Sequence, residues 1–308
     1  MQKLRHVVST KQFVDTGLLE RLFAAAEQME RDDKLRSVPA LLRGRILATL
    51  FYEPSTRTRF SFESAMQKLG GGVLTAENAR ESSSATKGES IADTIRIVSG
   101  YADAIAMRHY DEGAAKLASS FSPVPIINAG DGIGEHPTQA LGDIFTIVRE
   151  LGGVEGINVV LIGDLLNGRT IHSLLPLLSL YKGVKITLVS PPQLRLPAKY
   201  KRFLGEKGVS YTETVELRAS LRSADVVYVT RIQKERFISE DEYSKVKDAY
   251  VIDAEIAGRL KPKAIIMHAL PRVGEISPAV DANYRAAYFR QAKNALYVRM
   301  ALLAHLLG

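Results

Sequence analysis

Short apolar runs alternate with amphipathic helical patterns along almost the whole sequence. This alternation constrains the fold most, because an apolar run followed by a helical pattern is typical of units whose strands pair in parallel. We therefore predict an α/β protein built on doubly wound parallel sheets. The predicted strands are Arg45–Phe51, Gly72–Glu77, Ala104–Arg108, Val124–Ala129, Asn158–Asp164, Lys185–Ser190, Val209–Thr214, Asp225–Arg231, Tyr250–Asp253 and Ala264–Leu270. The predicted helices are Thr16–Arg31, Thr56–Leu69, Glu89–Ser99, Glu112–Ser119, His136–Leu151, Arg169–Tyr181, Ala198–Glu206, Val215–Ser223, Glu240–Lys247 and Tyr284–Leu307.

The alternation falls into two series, which predicts two domains in a chain of 308 residues. A long helical pattern over residues 136–151 separates them and ends at two consecutive glycines. We expect a first domain at residues 1–135, an interdomain helix at 136–151 and a second domain at 152–283. The last stretch, residues 284–308, is apolar on one face, so we expect it to return to the first domain.

The net charge of +7 favours anionic partners. The arginines are scattered among the loops rather than collected in a block, which favours a small anion over nucleic acid. No apolar run is long enough to span a membrane and the start lacks a signal-peptide core, so we expect a cytoplasmic protein without a membrane partner. The absence of cysteine excludes disulfides and thiolate ligands, and the histidines show no paired spacing, so we expect no metal and no cofactor.

Polar and basic residues follow nearly every predicted strand. Open parallel sheets bind ligands at the carboxyl ends of their strands, so these loops are the candidate site. The loops read PSTRTR, ENARESSSATKGES, RHY, NAGDGIGEHPTQ, GDLLNGRT, TRIQKER and HALPR.

The PSTRTR segment indicates an anion site. A helix N-terminus offers unpaired N–H groups and a positive dipole end, and the hydroxyls of Ser55, Thr56 and Thr58 add donors. Arg57 adds a planar group matched to phosphate oxygens. The alternative is that a hydroxyl only caps the helix while the arginines are solvated.

The GDLLNGRT segment resembles a nucleotide-binding P-loop, G-x-x-x-x-G-K-S/T, but has Arg169 in place of the lysine. The two cations are not equivalent on phosphates, so we favour a carboxylate partner for Arg169 and keep nucleotide binding as an alternative.

The GEHPTQ segment places His136 just before Pro137, a favoured first helical residue. An imidazole near a helix N-terminus is biased toward its neutral form and can donate one hydrogen bond to a carbonyl. Gln139 lies on the same helix face and is a candidate to bind an amide. In the segment ESSSATKGES (Glu81–Ser90), Lys87 is the one cation, and this segment is either a mobile active-site loop or a solvated surface loop.

The sequence therefore indicates one anion site in each domain, with few acids or bases. That pattern favours electrostatic catalysis of group transfer between two anions. An anion-binding module without turnover is the alternative.

Three of these motifs together resemble the carbamoyltransferase family. They are S-T-R-T-R opening a helix, H-P-T-Q opening the helix between the domains, and L-P after a histidine at a later strand end. Two acceptors compete within the family, aspartate and ornithine. Ornithine enzymes typically carry H-C-L-P, whereas this chain has HALPR, TRIQKER and no cysteine, so the resemblance implies transfer from carbamoyl phosphate to L-aspartate in pyrimidine biosynthesis.

The resemblance implies a role for each matching residue. The residues implied in catalysis are Arg57, Thr58, Arg108 and His136. Those implied in binding carbamoyl phosphate are Ser55, Thr56, Arg57, Thr58, Arg108, His136, Gln139 and Leu270, and those implied in binding aspartate are Lys87, Arg169, Arg231, Gln233, Leu270 and Pro271.

The resemblance also implies a homotrimer, because Ser83 and Lys87 would reach the active site of a neighbouring subunit. Glu53 and Arg236 would organise loops through salt bridges. Whether separate regulatory chains bind is left open by the sequence.

Overall fold

The computed structural model describes residues 4–82, 84–232, 239–244, 246 and 249–308, and the chain divides into two units. The first unit takes the chain up to Phe145 and again from Lys293 onward, and the second unit holds Thr146–Ala292.

The first unit is built on a four-stranded parallel sheet. Its strands are β1 (Ile46–Phe51), β2 (Gly72–Glu77), β3 (Ala104–His109) and β4 (Ile126–Asp131), in the order β2-β1-β3-β4. The α-helices that precede β1 or lie between β1 and β4 in the chain are α1 (Thr16–Lys34), α2 (Thr56–Lys68), α3 (Ala79–Ser82), α4 (Ile91–Val98) and α5 (Ala114–Ser119). The chain then enters α6 (Pro137–Leu151), within which it passes into the second unit.

The second unit is built on a five-stranded parallel sheet. Its strands are β5 (Asn158–Ile162), β6 (Lys185–Val189), β7 (Ser210–Thr214), β8 (Val226–Val229) and β9 (Ile265–His268), in the order β7-β6-β5-β8-β9. The helices of this series are α7 (Arg169–Leu178), α8 (Ala198–Glu206), α9 (Leu217–Leu221), α10 (Glu240–Ser244) and α11 (Ala254–Arg259). The predicted class, two α/β units with parallel sheets, is confirmed.

Each sheet has its own hydrophobic core. Leu50, Ile105 and Ile126 contribute to the core of the first unit, and Val160 and Val227 to that of the second. The central strands are buried on both faces, which explains why they read as continuous apolar runs rather than as alternating patterns.

The last helix, α12 (Tyr288–Leu307), brings the chain back to the first unit, as predicted. The hydroxyl of Tyr297 donates to Asp33 at 3.1 Å. Gly142 in α6 packs so closely against α12 that a Cβ there would lie 2.9 Å from the Ala295 methyl group. Only glycine permits this contact without a shift of one helix.

The predicted strand at Tyr250–Asp253 is wrong. Only Ile252 makes a bridge in this segment, to Ile276, and it belongs to neither named sheet. The physical reason is that the Asp253 side chain caps α11 at the next residue, accepting from the Ile256 N–H group at 2.7 Å, so no length remains for pairing. Two short helices, α3 and α11, were not predicted.

The predicted helix at Glu240–Lys247 begins as expected, but its last residue lies outside the described residues. Within the described ranges, no helix is long and apolar enough to cross a membrane.

Candidate active site

The turn after β1 leads into α2, and the Ser55 hydroxyl at this point does not cap the helix. Ser55 occupies the N-cap position of α2, yet its side chain makes no capping hydrogen bond. Asp15, Ser90 and Asp253, by contrast, accept from backbone N–H groups at the starts of their helices. The interpretation of Ser55 as an ordinary cap is therefore not supported, and the role of its hydroxyl in binding an anion with the helix N–H groups stays a prediction.

Thr56, Arg57 and Thr58 form the first turn of α2. The Arg57 side chain reaches the surface, but the protein around its guanidinium group still lowers the pKa of Arg57 by desolvation. The group remains charged at neutral pH, and a bound anion would compensate for the lost water. Thr58 is only 8% exposed, so its hydroxyl lies in a more protected position than the other two side chains.

Arg108 lies beside this turn because β3 pairs with β1. Phe51 and Arg108 are register partners, and the Tyr52 N–H group donates to the Arg108 carbonyl at 2.9 Å. The Arg108 guanidinium group contacts Glu53 at 3.3 Å and donates to the Ala129 carbonyl at 3.3 Å. These contacts hold Arg108 across the carboxyl ends of β1, β3 and β4.

Arg59 stabilises the turn from the other side. Its guanidinium group lies 2.7 Å from Glu77 and 3.3 Å from Glu63. The predicted salt bridge of Glu53 is found with Arg108, and the pairs of Arg59 add further ion pairs to the same region.

His136 is held at the start of α6 by a tight loop that follows β4. Asp131 accepts from the Glu135 N–H group at 2.8 Å, and Glu135 in turn accepts from the Ser9 hydroxyl at 2.6 Å. The His136 carbonyl accepts from the N–H groups of Gln139 and Ala140, which places His136 itself at the N-cap position. Its side chain is 4% exposed.

The turn after β1 and the end of β3 lie where the order of the first sheet reverses. The chain goes from β1 outward to β2 and then back across β1 to β3, so the switch point lies between β1 and β3. A crevice at the carboxyl ends of the strands is expected there. Arg57 follows one of these two strands, and Arg108 lies near the end of the other.

The second unit has its own switch point, between β5 and β8. Arg169 opens α7 after β5, and Arg231 follows β8 after one intervening residue. Gly163 allows the two strand ends to approach, because a Cβ there would lie 2.3 Å from the Thr230 carbonyl oxygen. Its φ of +109° is also one that favours glycine.

The loop before Arg169 is not arranged as a P-loop. A P-loop needs free backbone N–H groups around the phosphates. Here the Leu165 N–H group donates to Leu194, the Asn167 N–H group donates to Asp164 at 2.9 Å, and the Arg169 N–H group donates to the Asn167 carbonyl. The nucleotide-binding alternative is therefore not supported.

Leu270 and Pro271 follow β9, next to β8 in the sheet, and are joined by a cis peptide bond. The Leu270 N–H group donates to His268 Nδ1 at 2.7 Å, so His268 carries its proton on Nε2, which lies 2.7 Å from Glu275. Burial alone would raise the pKa of Glu275, but hydrogen bonds from His268 and from backbone N–H groups lower it to about 2. A buried, ionised carboxylate thus organises the loop that carries Leu270.

Of the remaining predicted site residues, one lies on a short 3₁₀ helix and the others lie outside the described residues. Lys87 is exposed, at the end of a 3₁₀ helix that begins at Ser84. Ser83, Gln233 and Arg236 lie outside the described residues.

Sequence reasoning missed several buried polar residues. Asp143, Arg299 and Glu275, the partner of His268, gave no local signal, because their partners are identified only by the fold. In the described part of the chain, no group of three or more His, Cys, Asp or Glu side chains is arranged to hold a metal ion.

Two family models match almost the whole chain. Residues 5–149 match the carbamoyl-P binding domain of aspartate/ornithine carbamoyltransferase, and residues 155–306 match its Asp/Orn binding domain. Among similar proteins, the chloroplastic aspartate carbamoyltransferase of Arabidopsis thaliana is 53% identical over 99% of this chain and 78% of its own length. The aspartate carbamoyltransferase catalytic subunit of Methanococcoides burtonii is 49% identical over 98% of this chain and 97% of its own length.

Solved structures agree with these matches. The catalytic subunit of M. jannaschii aspartate transcarbamoylase is 48% identical, with a TM-score of 0.90 over 99% of this chain and 98% of that one. Aspartate transcarbamoylase of Trypanosoma cruzi, solved in complex with carbamoyl phosphate and aspartate, is 42% identical, with a TM-score of 0.93 over 99% of this chain and 97% of that one. With both domains matched at this identity and coverage, the chain belongs to the aspartate/ornithine carbamoyltransferase family.

Proposed function

We propose that this chain transfers the carbamoyl group of carbamoyl phosphate to the amino group of L-aspartate, giving N-carbamoyl-L-aspartate and phosphate in de novo pyrimidine biosynthesis. One observation carries the proposal: each unit presents arginines at the switch point of its own parallel sheet. Two anion sites fit a reaction between two anionic substrates. Relatives crystallised with carbamoyl phosphate and aspartate support the same reaction.

The first unit binds carbamoyl phosphate. Its phosphate lies against the start of α2, where Ser55, Thr56, Arg57 and Thr58 supply donors. Arg108 bridges the phosphate and the carbonyl oxygen. The matching family model, described as a carbamoyl-P binding domain, covers this part of the chain.

The other end of carbamoyl phosphate faces α6. His136 donates to the carbonyl oxygen, and Gln139 accepts from the carbamoyl NH₂ group together with the backbone at Leu270. Thr58, Arg108 and His136 thus form a set of donors for the oxygen on which negative charge develops.

The second unit binds L-aspartate. Arg169 and Arg231 hold its two carboxylates as charge-assisted pairs. Gln233, Lys87 and the Leu270–Pro271 segment complete the site. The matching family model, described as an Asp/Orn binding domain, supports this division of the chain.

The reaction needs no dedicated protein base. The amine of aspartate attacks the carbamoyl carbon, a C–N bond forms and the C–O bond to phosphate breaks. Phosphate leaves with the bonding electron pair and takes up the proton released by the amine. The protein contributes positioning and preorganised donors.

The assembly we propose is a homotrimer in which Ser83 and Lys87 serve a neighbouring subunit. An exposed edge strand supports an interface on the first unit: β2 lies at the edge of the four-stranded sheet and is exposed along most of its length. Leu74 in β2 and Phe60 in α2 are exposed apolar side chains. We propose a cytoplasmic location. Because plant relatives are chloroplastic, cell fractionation is the test of this location. Analytical ultracentrifugation tests the trimer and any binding of separate regulatory chains.

One assay tests the function. The purified chain is incubated with carbamoyl phosphate and either L-aspartate or L-ornithine, and the carbamoylated amino acid and released phosphate are measured. We expect product with aspartate alone. Product with ornithine alone would show that ornithine, not aspartate, is the acceptor. Phosphate binding without product from either amino acid would show that the chain is an anion-binding module without turnover.

A further inference from the structure

We propose that Asp143 is a positioning residue that makes the carbamoyl phosphate site select for an amino group on the transferred carbonyl. It does so by fixing which end of the Gln139 amide faces the substrate. The inference rests on the proposed function and adds a determinant of its specificity.

The geometry of the pair defines the orientation. Gln139 and Asp143 lie one turn apart on α6, and Gln139 Nε2 donates to Asp143 Oδ1 at 2.7 Å. An ionised carboxylate has acceptors only, so the group that it holds at this distance is the NH₂ end of the amide. The Gln139 oxygen is left on the other side, as an acceptor.

The side chain of Asp143 is fully buried, which by itself disfavours its charged form, and the compensating positive charge comes from Arg299. Arg299 of α12, 3% exposed, donates to the Ser61 hydroxyl at 2.7 Å and to the Thr138 hydroxyl at 3.4 Å. The pKa of Arg299 is lowered to about 10, because the effect of burial, which lowers it, exceeds the effect of the Asp143 charge, which raises it. Arg299 therefore remains positive at neutral pH and stabilises a negative charge on Asp143.

The fixed amide oxygen distinguishes two kinds of acyl phosphate. The NH₂ group of a carbamoyl ligand donates to it, whereas a methyl group in the same place leaves a desolvated acceptor without a donor. Without the charge of Asp143, the amide can turn over and lose this discrimination.

The test uses two stable phosphonates that differ only in this group. Phosphonoacetamide carries the NH₂ group, and phosphonoacetone carries a methyl group in its place. We expect the native chain to bind the amide roughly 10-fold more tightly than the ketone, and Asp143→Asn to bring this preference close to parity. The measurement is the competitive inhibition constant of each phosphonate against carbamoyl phosphate.

Controls separate positioning from general damage. Asp225→Asn removes a carboxylate that is likewise bonded to an amide side chain, that of Asn158, but precedes β8 at the opposite end of the second sheet. We expect Asp225→Asn to keep the native preference. In the Gln139→Leu background, Asp143→Asn should change the preference no further, because its effect passes through the missing amide.

The outcomes distinguish the inference from the proposed function. An unchanged preference in Asp143→Asn, with inorganic phosphate still bound, overturns the role of Asp143 and leaves the function intact. A native chain that binds neither phosphonate overturns both. If Asp143→Asn fails to fold, Asp143→Ser is a second uncharged variant that decides the same question.

Discussion

The two units present arginines at the same topological position but surround them differently. In the first unit, Thr58 in α2 and His136 at the start of α6 are almost fully buried, and Arg108 in β3 is half-buried. In the second unit, Arg169 and Arg231 are half-buried, and the Leu270 N–H group donates to His268 Nδ1.

This difference suggests separate tasks for the two units, polarisation of the substrate carbonyl in one and binding of an anion in the other. Donors that are shielded from water stabilise developing charge far better than exposed donors, because no solvent has to reorganise. If the proposed function is correct, the first unit supplies the groups that act on the reacting carbonyl. The second unit then supplies charged groups that hold an anion in place.

Arg57→Ala breaks the first unit's anion site most completely. We expect kcat/KM for carbamoyl phosphate to fall on the order of 10³-fold, because both ground-state binding and transition-state stabilisation lose a charged donor. Steady-state kinetics and inhibition by inorganic phosphate measure both losses. Near-normal kinetics would remove Arg57 from the site, and Arg43→Ala, which changes an exposed arginine before β1, is the matched control.

His136→Ala tests whether the first unit polarises as well as binds. Removing one oxyanion donor typically lowers kcat by about 10²–10³-fold. Inhibition by inorganic phosphate should be nearly unchanged, since the proposed phosphate position is at α2. A loss confined to KM would assign His136 to binding alone.

Glu275→Gln tests the buried charge behind the second unit's loop. The pKa of Glu275 is lowered to about 2 from 4.5, so its stabilising contribution is fully present above pH 4.5 and is lost as the pH falls toward 2. We expect the variant to lose on the order of 2–3 kcal/mol of unfolding free energy at pH 7, with a smaller difference below pH 4.5.

Urea unfolding followed by tyrosine fluorescence at several pH values gives that difference. Glu255→Gln, which changes an exposed carboxylate paired with Arg259, should cost under about 0.5 kcal/mol at every pH. A constant difference for Glu275→Gln between pH 7 and pH 3 would contradict the charge-based explanation.

Arg169→Ala tests whether the second unit binds aspartate without affecting carbamoyl phosphate. Losing one charge-assisted pair should raise KM for aspartate about 10- to 100-fold and leave KM for carbamoyl phosphate nearly unchanged. Arg218→Ala, at an exposed arginine in α9, is the control. An equal rise in both KM values would show that Arg169 does not serve one substrate alone.

The sequence predicted most of the two sheets, because buried parallel strands leave continuous apolar runs that need no knowledge of their partners. It also placed Arg57, His136 and Arg169 at strand ends, since each follows an apolar run within a few residues. It failed at Tyr250–Asp253, where an apolar pattern was present but Asp253 had already begun a helix.

What the sequence by itself determined is local: the strand–helix order, the starts of α2, α6 and α7, and the motifs that follow the strands. What only the tertiary structure decided is which distant side chains share a buried environment. Arg299 contacts Ser61, far away in the chain, and Glu275 meets His268 because both face one loop. Such pairs leave no periodicity to read, because a buried charge is stabilised by partners that folding alone brings within reach.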